Sequence, residues 1–202
     1  MAQPAAVPAD RPLEVQLAEF SRRRFLAMPL AGALAWTAVG IAGMRLPPEL
    51  AAIVLFMATG MIAYLGMALS NLTGERFLDR NRPKNVFDAL FFHTVAMSLL
   101  VYAVAIPFYL RDVTSLPLGV GVLTGLMWVP MSWFTRHWVG YFHAGVRTAL
   151  VTALWFALPA QRFVAIPFAI VAVYVVSIVA LEARWRASGV RPDGREHAVA
   201  TA

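Results

Sequence analysis

The 202-residue chain has no cysteine. That absence removes disulfides, thiolate metal sites and cysteine nucleophiles, and leaves the redox compartment unread. Charge is scarce as well: Asp, Glu, Lys and Arg make up 14% of the residues, against about 25% in an ordinary soluble domain. Lys84 is the single lysine among seventeen basic residues. The sequence contains no HExxH, GxSxG or Walker pattern and no paired carboxylates within an apolar run, so it names no enzyme class and no catalytic residue. No cofactor or metal set is expected either. His137 and His143 flank a loop, and their spacing implies no axial pair for haem.

Apolar sequence is what the chain has in abundance. It is 60% hydrophobic with a mean hydropathy of +0.67, and its apolar residues come in long runs with little alternation of period two. Helices rather than an outer-membrane barrel follow. The expected fold is all-α, a polytopic membrane helix bundle of six transmembrane helices. A net charge of +6 and a pI near 10.5 would suggest nucleic acid in a soluble protein. Here the arginines flank apolar runs, so they read as topology signals, and the expected partner is membrane lipid rather than nucleic acid.

The six spans are expected at about 25–44, 50–70, 89–110, 116–134, 140–158 and 163–181, within a transmembrane domain over 22–182. Before it, residues 1–21 form a tail. There Leu13, Leu17 and Phe20 share one face, which suggests a short amphipathic helix lying on the membrane surface. The run Ser21-Arg22-Arg23-Arg24-Phe25-Leu26 looks like a twin-arginine export signal, but the apolar stretch after it is long enough to span and further spans follow. Three arginines at the start of a first span simply hold that end in the cytoplasm. After the sixth span, residues 183–202 form a polar tail expected to be disordered.

Six spans put both termini on one side of the membrane. Fourteen of the seventeen basic residues fall in the two tails, in the loop after span two, and around Arg136 and Arg147, whereas Arg45, Arg111 and Arg162 stand alone in the other three loops. The bias predicts cytoplasmic termini in a bacterial cytoplasmic membrane. A repeat of Ala105-Ile106-Pro107-Phe108 at Ala165-Ile166-Pro167-Phe168 lies late in one span and early in the other, so it does not mark inverted halves.

The fifth span carries a full charge. The uncharged run from Thr148 to Gln161 is too short to cross a core that takes about 20 residues, so the helix must start near Val139 to Phe142. Arg147 then lies roughly two turns, on the order of 10 Å, inside it. From that depth the side chain either snorkels to the headgroups or faces inward to a partner. Asp88, His93, Arg136, His137, His143 and Arg147 all fall in the same half of the membrane, with Trp133 where span four returns. Arg147, His93 and His143 are the expected solute-binding residues, supported by Asp88, Arg136, His137 and Trp133. The structural alternative has Asp88 neutralising Arg147, His137 and His143 at headgroup level, and His93 bonded to a Ser or Thr.

The stretch from Phe25 to Leu181 resembles an uncharacterised group of bacterial six-span membrane proteins, a domain-of-unknown-function family. The resemblance rests on Arg24-Phe25 leading into span one, on Phe56-Met57-Ala58-Thr59-Gly60 with Ser70 closing span two, and on Thr124-Gly125 followed by Pro130 and Trp133. The chain departs from the group's pattern at Tyr64, where a proline is expected, and at Met127 or Trp128, where a histidine is. The resemblance implies the architecture and no activity. Two functional expectations remain. One is transport or gating of a small solute, anionic in the leading case, through a polar cavity on the cytoplasmic side. The other is a non-catalytic scaffold or partner subunit, packing as a homo-oligomer or against another membrane protein through Gly60, Gly66, Gly121 and Gly125.

Overall fold

The computed structural model describes residues 11–75, 77 and 83–189. The first ten residues of the N-terminal tail, part of the charged loop after span two, and residues 190–202, for which disorder is expected, lie outside the described residues. Ten α-helices follow in order: α1 (Leu13–Ser21), α2 (Ala27–Arg45), α3 (Pro48–Gly60), α4 (Ile62–Leu72), α5 (Val86–Leu100), α6 (Tyr102–Tyr109), α7 (Leu116–Gly125), α8 (Trp128–Thr135), α9 (Val139–Ala157) and α10 (Arg162–Ala187). Among the described residues there is no strand. Four helical stretches, Ala27–Arg45, Val86–Tyr109, Val113–Thr135 and Pro159–Ala187, are long and apolar enough to cross a membrane. A fifth is added if α3 and α4, bent by 50° at Met61, count as one. Several long apolar helices make this a membrane protein in type.

The breaks have chemical causes. At Met61 the chain has just passed Gly60, and the Thr59 hydroxyl donates back to the Leu55 carbonyl at 2.6 Å, a combination that bends helices. Pro130 has no N–H and its ring crowds the carbonyl four residues back, at Leu126. The break between α7 and α8 accordingly falls at Leu126 and Met127, one turn before Pro130. Between α5 and α6, Ser98 back-bonds to Val95 at 2.6 Å just before the break at Val101.

The core runs along α2, which packs on α10 and α4, while α9 lies between α10 and the α7–α8 pair. Trp36, Leu55, Leu116, Ile166 and Ile170 are fully buried there. Helix α10 continues to Ala187, so Glu182 and Arg184, read from sequence as the edge of a tail, are helical. Arg184 donates to the carbonyls of Ser21 at 2.5 Å, Arg23 at 2.5 Å and Thr135 at 3.0 Å, and Arg24 pairs with Glu182 at 2.8 Å. The end of α10 and the segment after α1 are thus tied together at one end of the bundle.

Helix α1 packs on protein. Gln16, Leu17 and Phe20 are buried while Leu13 faces out. The Phe20 ring sits among Phe25, Phe87, Phe91 and Phe134 with centroids 4.9 to 6.3 Å away. Asn85 Nδ2 donates to the Gln16 carbonyl at 2.7 Å, the Val86 N–H donates to Gln16 Oε1 at 2.9 Å, and Arg23 forms a two-pronged ion pair with Asp88. Helix α1 is therefore a strap across the start of α5, which otherwise meets the bundle chiefly at α8 and through α6.

Helix α9 approaches α8 so closely that a Cβ at Gly140 would overlap the Trp128 carbonyl oxygen and crowd Ser132, whereas Gly145 on the same helix faces open space. Gly140→Ala is expected to destabilise the protein by about 1–3 kcal/mol, the usual range for overpacking. Gly145→Ala should be neutral or stabilising by up to ~1 kcal/mol from helix propensity. Thermal unfolding of the two purified variants checks this, and equal melting temperatures would contradict the packing described.

Candidate functional site

Helix α9 buries one stripe, Gly140, His143, Ala144, Arg147 and Val151, at the three- and four-residue spacing of a single helix face. Arg147 is 0% exposed, so it faces the bundle and does not snorkel. Room for it comes from α7: a Cβ at Gly125 would lie 3.1 Å from Arg147 Cδ and 3.2 Å from Nε. Gly121 and Gly125, expected to be contact faces for other helices, are thus used inside the chain, Gly121 against Val151 and Ile170.

The guanidinium is held by neutral groups. Nε donates to the Gly121 carbonyl at 2.7 Å, one terminal nitrogen donates to Thr124 Oγ1 at 2.7 Å, and the other lies 3.4 Å from both Tyr174 Oη and His143 Nε2. The rings of Trp36 and Tyr174 lie 5.3 and 5.7 Å from its centre, within cation–π range. Hydrogen-bond directions are fixed by the next groups out. Ser177 donates to the Val173 carbonyl at 2.8 Å, so toward His143 Nδ1, 2.9 Å away, it can only accept. The imidazole proton therefore sits on Nδ1, and the lone pair of Nε2 faces Arg147. Thr124 likewise donates to Val120 at 2.6 Å and accepts from Arg147. His143 is stacked on Trp128, with centroids 3.8 Å apart and planes 9° from parallel.

Among the described residues no carboxylate pairs with Arg147. Asp88, the expected counter-ion, pairs with Arg23 at the tail end of the bundle. His93 faces out, its Nδ1 2.6 Å from the Ala89 carbonyl of its own helix. Trp133, Arg136 and His137 gather at the turn between α8 and α9, lining a second groove. Of the seven residues expected to cluster, the structure brings together Arg147 and His143. It adds Thr124, Tyr174, Ser177 and Trp36, whose sequence signal was a polar or amphipathic side chain inside an apolar run. Among the described residues no group of His, Asp and Glu is disposed to hold a metal ion.

Thr124, Trp128 and Tyr174 also form the wall of a narrow, partly open cleft between α5 and the rest of the bundle, with about 900 Å³ of empty space counted out to its mouth. Its lining is mostly apolar, including Phe25, Met28, Phe91, Met127 and Met131, with hydroxyls at Thr59, Ser98, Tyr102, Thr124 and Tyr174. Thr59 and Tyr102 lie 2.5 Å apart across it. The cleft is not the polar cavity the sequence suggests. It is a mostly apolar slot with a cation behind its wall.

A family described as one of unknown function, DUF7010, matches residues 16–184. No curated protein and no solved structure matches the chain.

A further charged group lies in the loop after α4. Glu75 is buried, and its Oε1 accepts from the N–H groups of Leu26 at 2.8 Å and Ala27 at 2.7 Å and from Thr73 Oγ1 at 3.1 Å. It caps the start of α2 from a distant loop. Sequence reading passed over it because it stands in the most charged loop, where a solvated carboxylate is the default. Burial pushes its pKa up, against the pull of those N–H groups, Thr73 and Arg24. A raised carboxyl pKa means that the folded state favours the protonated form. The resulting stability is full below the ordinary glutamate range of about 4.3, and it is lost as pH rises through the folded value. Glu75→Gln keeps an oxygen for both N–H groups and removes the charge. The variant should match wild type in melting temperature near pH 4 and exceed it near pH 8. Unchanged pH dependence in the variant would refute the assignment.

Proposed function

We propose, from the premise that the chain belongs to the DUF7010 family of unknown function and inherits no activity from it, that this is a six-span protein of the bacterial cytoplasmic membrane with both termini inside. In this reading it binds and gates a small amphiphilic anion. The additional span is α9, whose 19 residues equal α2 in length and whose hydropathy is lowered by His143 and Arg147. The orientation is supported by the basic residues at the end of the bundle where α1 and α10 meet.

The function rests on one observation: Arg147 is wholly buried without a carboxylate among the described residues, and two of its hydrogen-bond partners, Thr124 and Tyr174, line the cleft. Withdrawing an ion from water costs several kcal/mol after relaxation, and neutral dipoles offset part of that. A negative head reaching Tyr174, which still has its hydroxyl proton to donate, adds the missing charge, and an apolar body fills a lining that offers little to a hydrated ion. The solute class is therefore a carboxylate or phosphate on an apolar chain. Entry is lateral, by displacement of α5, whose contacts with the bundle lie chiefly near its start and beyond its end. The scaffold reading gains no support, because Gly66, Gly121 and Gly125 are occupied within the chain, while Gly60 faces open space in the cleft.

The test compares a fluorescent long-chain fatty acid with its methyl ester, for binding in nanodiscs and for flux in proteoliposomes. Wild type should prefer the acid by roughly tenfold to a hundredfold, the worth of a charge-assisted hydrogen bond of about 1.5–3 kcal/mol. Arg147→Met should abolish that preference while remaining folded, since an apolar residue of similar volume often replaces a buried ion without loss of stability. A variant that keeps the preference would remove this function.

A further inference from the structure

The geometry points to a second site, independent of the cleft: the turn between α8 and α9 binds the phosphate headgroup of an anionic bilayer lipid. The groove there is lined by Leu17 of α1 and by Trp133, Arg136, His137, Trp138 and Tyr141, with about 680 Å³ of empty space counted out to its mouth. It is already formed. Ser132, also in its wall, accepts from the Tyr141 N–H at 2.9 Å and donates to the His137 carbonyl at 2.8 Å, pinning both sides of the turn.

Arg136 holds a left-handed conformation, φ 49° and ψ 42°, which costs a non-glycine residue about 1–2 kcal/mol. Its side chain is exposed and has no partner among the described residues. An arginine kept at a strained position, with its fork of donors unused, suits a group that is planar or tetrahedral and anionic. His137 supplies a neutral donor. Its Nδ1 accepts from the Val139 N–H at 3.4 Å, which leaves the ring proton on Nε2, and burial, then the nearby Arg184, lowers its pKa and disfavours the imidazolium.

The surroundings select a lipid over a soluble phosphate. Trp133, Trp138 and Tyr141 are 56%, 55% and 58% exposed around the arginine, at a helix end, which is how amphipathic rings sit at headgroup depth. Leu17 and the indole faces accept the glycerol and first methylenes of a lipid. A free phosphate leaves them bare.

The experiment uses the full chain in nanodiscs of equal phosphatidylglycerol and phosphatidylcholine, with lipids retained after release read by native mass spectrometry. Wild type should retain phosphatidylglycerol preferentially. Arg136→Asn, chosen because asparagine tolerates the left-handed conformation, should reduce that retention at least fivefold. Arg45→Asn removes the same charge from the opposite end and should leave retention unchanged. In a second arm, the melting temperature of wild type in neutral detergent should rise with added phosphatidylglycerol and not with inorganic phosphate. No preference for phosphatidylglycerol in wild type, equal losses in the two variants, or stabilisation by inorganic phosphate alone would each overturn the proposal.

Discussion

A guanidinium without water has to be solvated by the protein, and the middle of this bundle is arranged around that requirement. Helix α7 contributes the Gly121 carbonyl and the Thr124 hydroxyl, α10 the Tyr174 hydroxyl and, through His143, Ser177. Helix α2 contributes the face of Trp36. The glycines of α7 give the side chain its volume. The Thr124 and Ser177 hydroxyls hand their protons to backbone carbonyls and so present lone pairs inward, an orientation that suits a permanent cation. Every ligand is neutral, so the site is electrically incomplete. An incomplete site beside a partly open cleft is what connects this packing to the proposed function.

Much of the architecture was legible in the sequence because it depends on local quantities. The apolar runs, their lengths and the arginines at their ends are properties of consecutive residues, and the helices fall where those runs do. The start of α9 at Val139, two turns before Arg147, was legible for the same reason, since the uncharged run after Arg147 is short. Rotation and partner choice were not. His93 and Thr94 lie at nearly the same depth on α5, yet Thr94 is buried and His93 faces out, because one residue turns a helix by about 100°. Asp88 was expected to reach Arg147. Its carboxylate is claimed by Arg23, brought alongside by a strap that buries Phe20. Glu75 was illegible because its partners, the first N–H groups of α2, lie almost fifty residues earlier in the chain.

The two ends of α5 differ in kind. Its start is fastened by an ion pair, an exchange of amide hydrogen bonds with Gln16 and a cluster of phenylalanine rings. Its far half continues into α6 across a helix break and touches α3 through Tyr102 and Tyr109, with ring contacts to Phe56 at 5.7 and 5.3 Å. Between these attachments the helix spans the cleft with little behind it, and Val86–Tyr109 is the least buried of the four long apolar stretches, which leaves the least to oppose a local opening.

The hold that Arg184 keeps on the carbonyls of Ser21 and Arg23 sets an order of assembly. The seat of α1 is built from α5 and α8 and is closed by the last turns of α10, whose Arg184 stands 163 residues after Ser21. Until synthesis has passed residue 184 those two carbonyls lack their donor, and the seat closes only with α10.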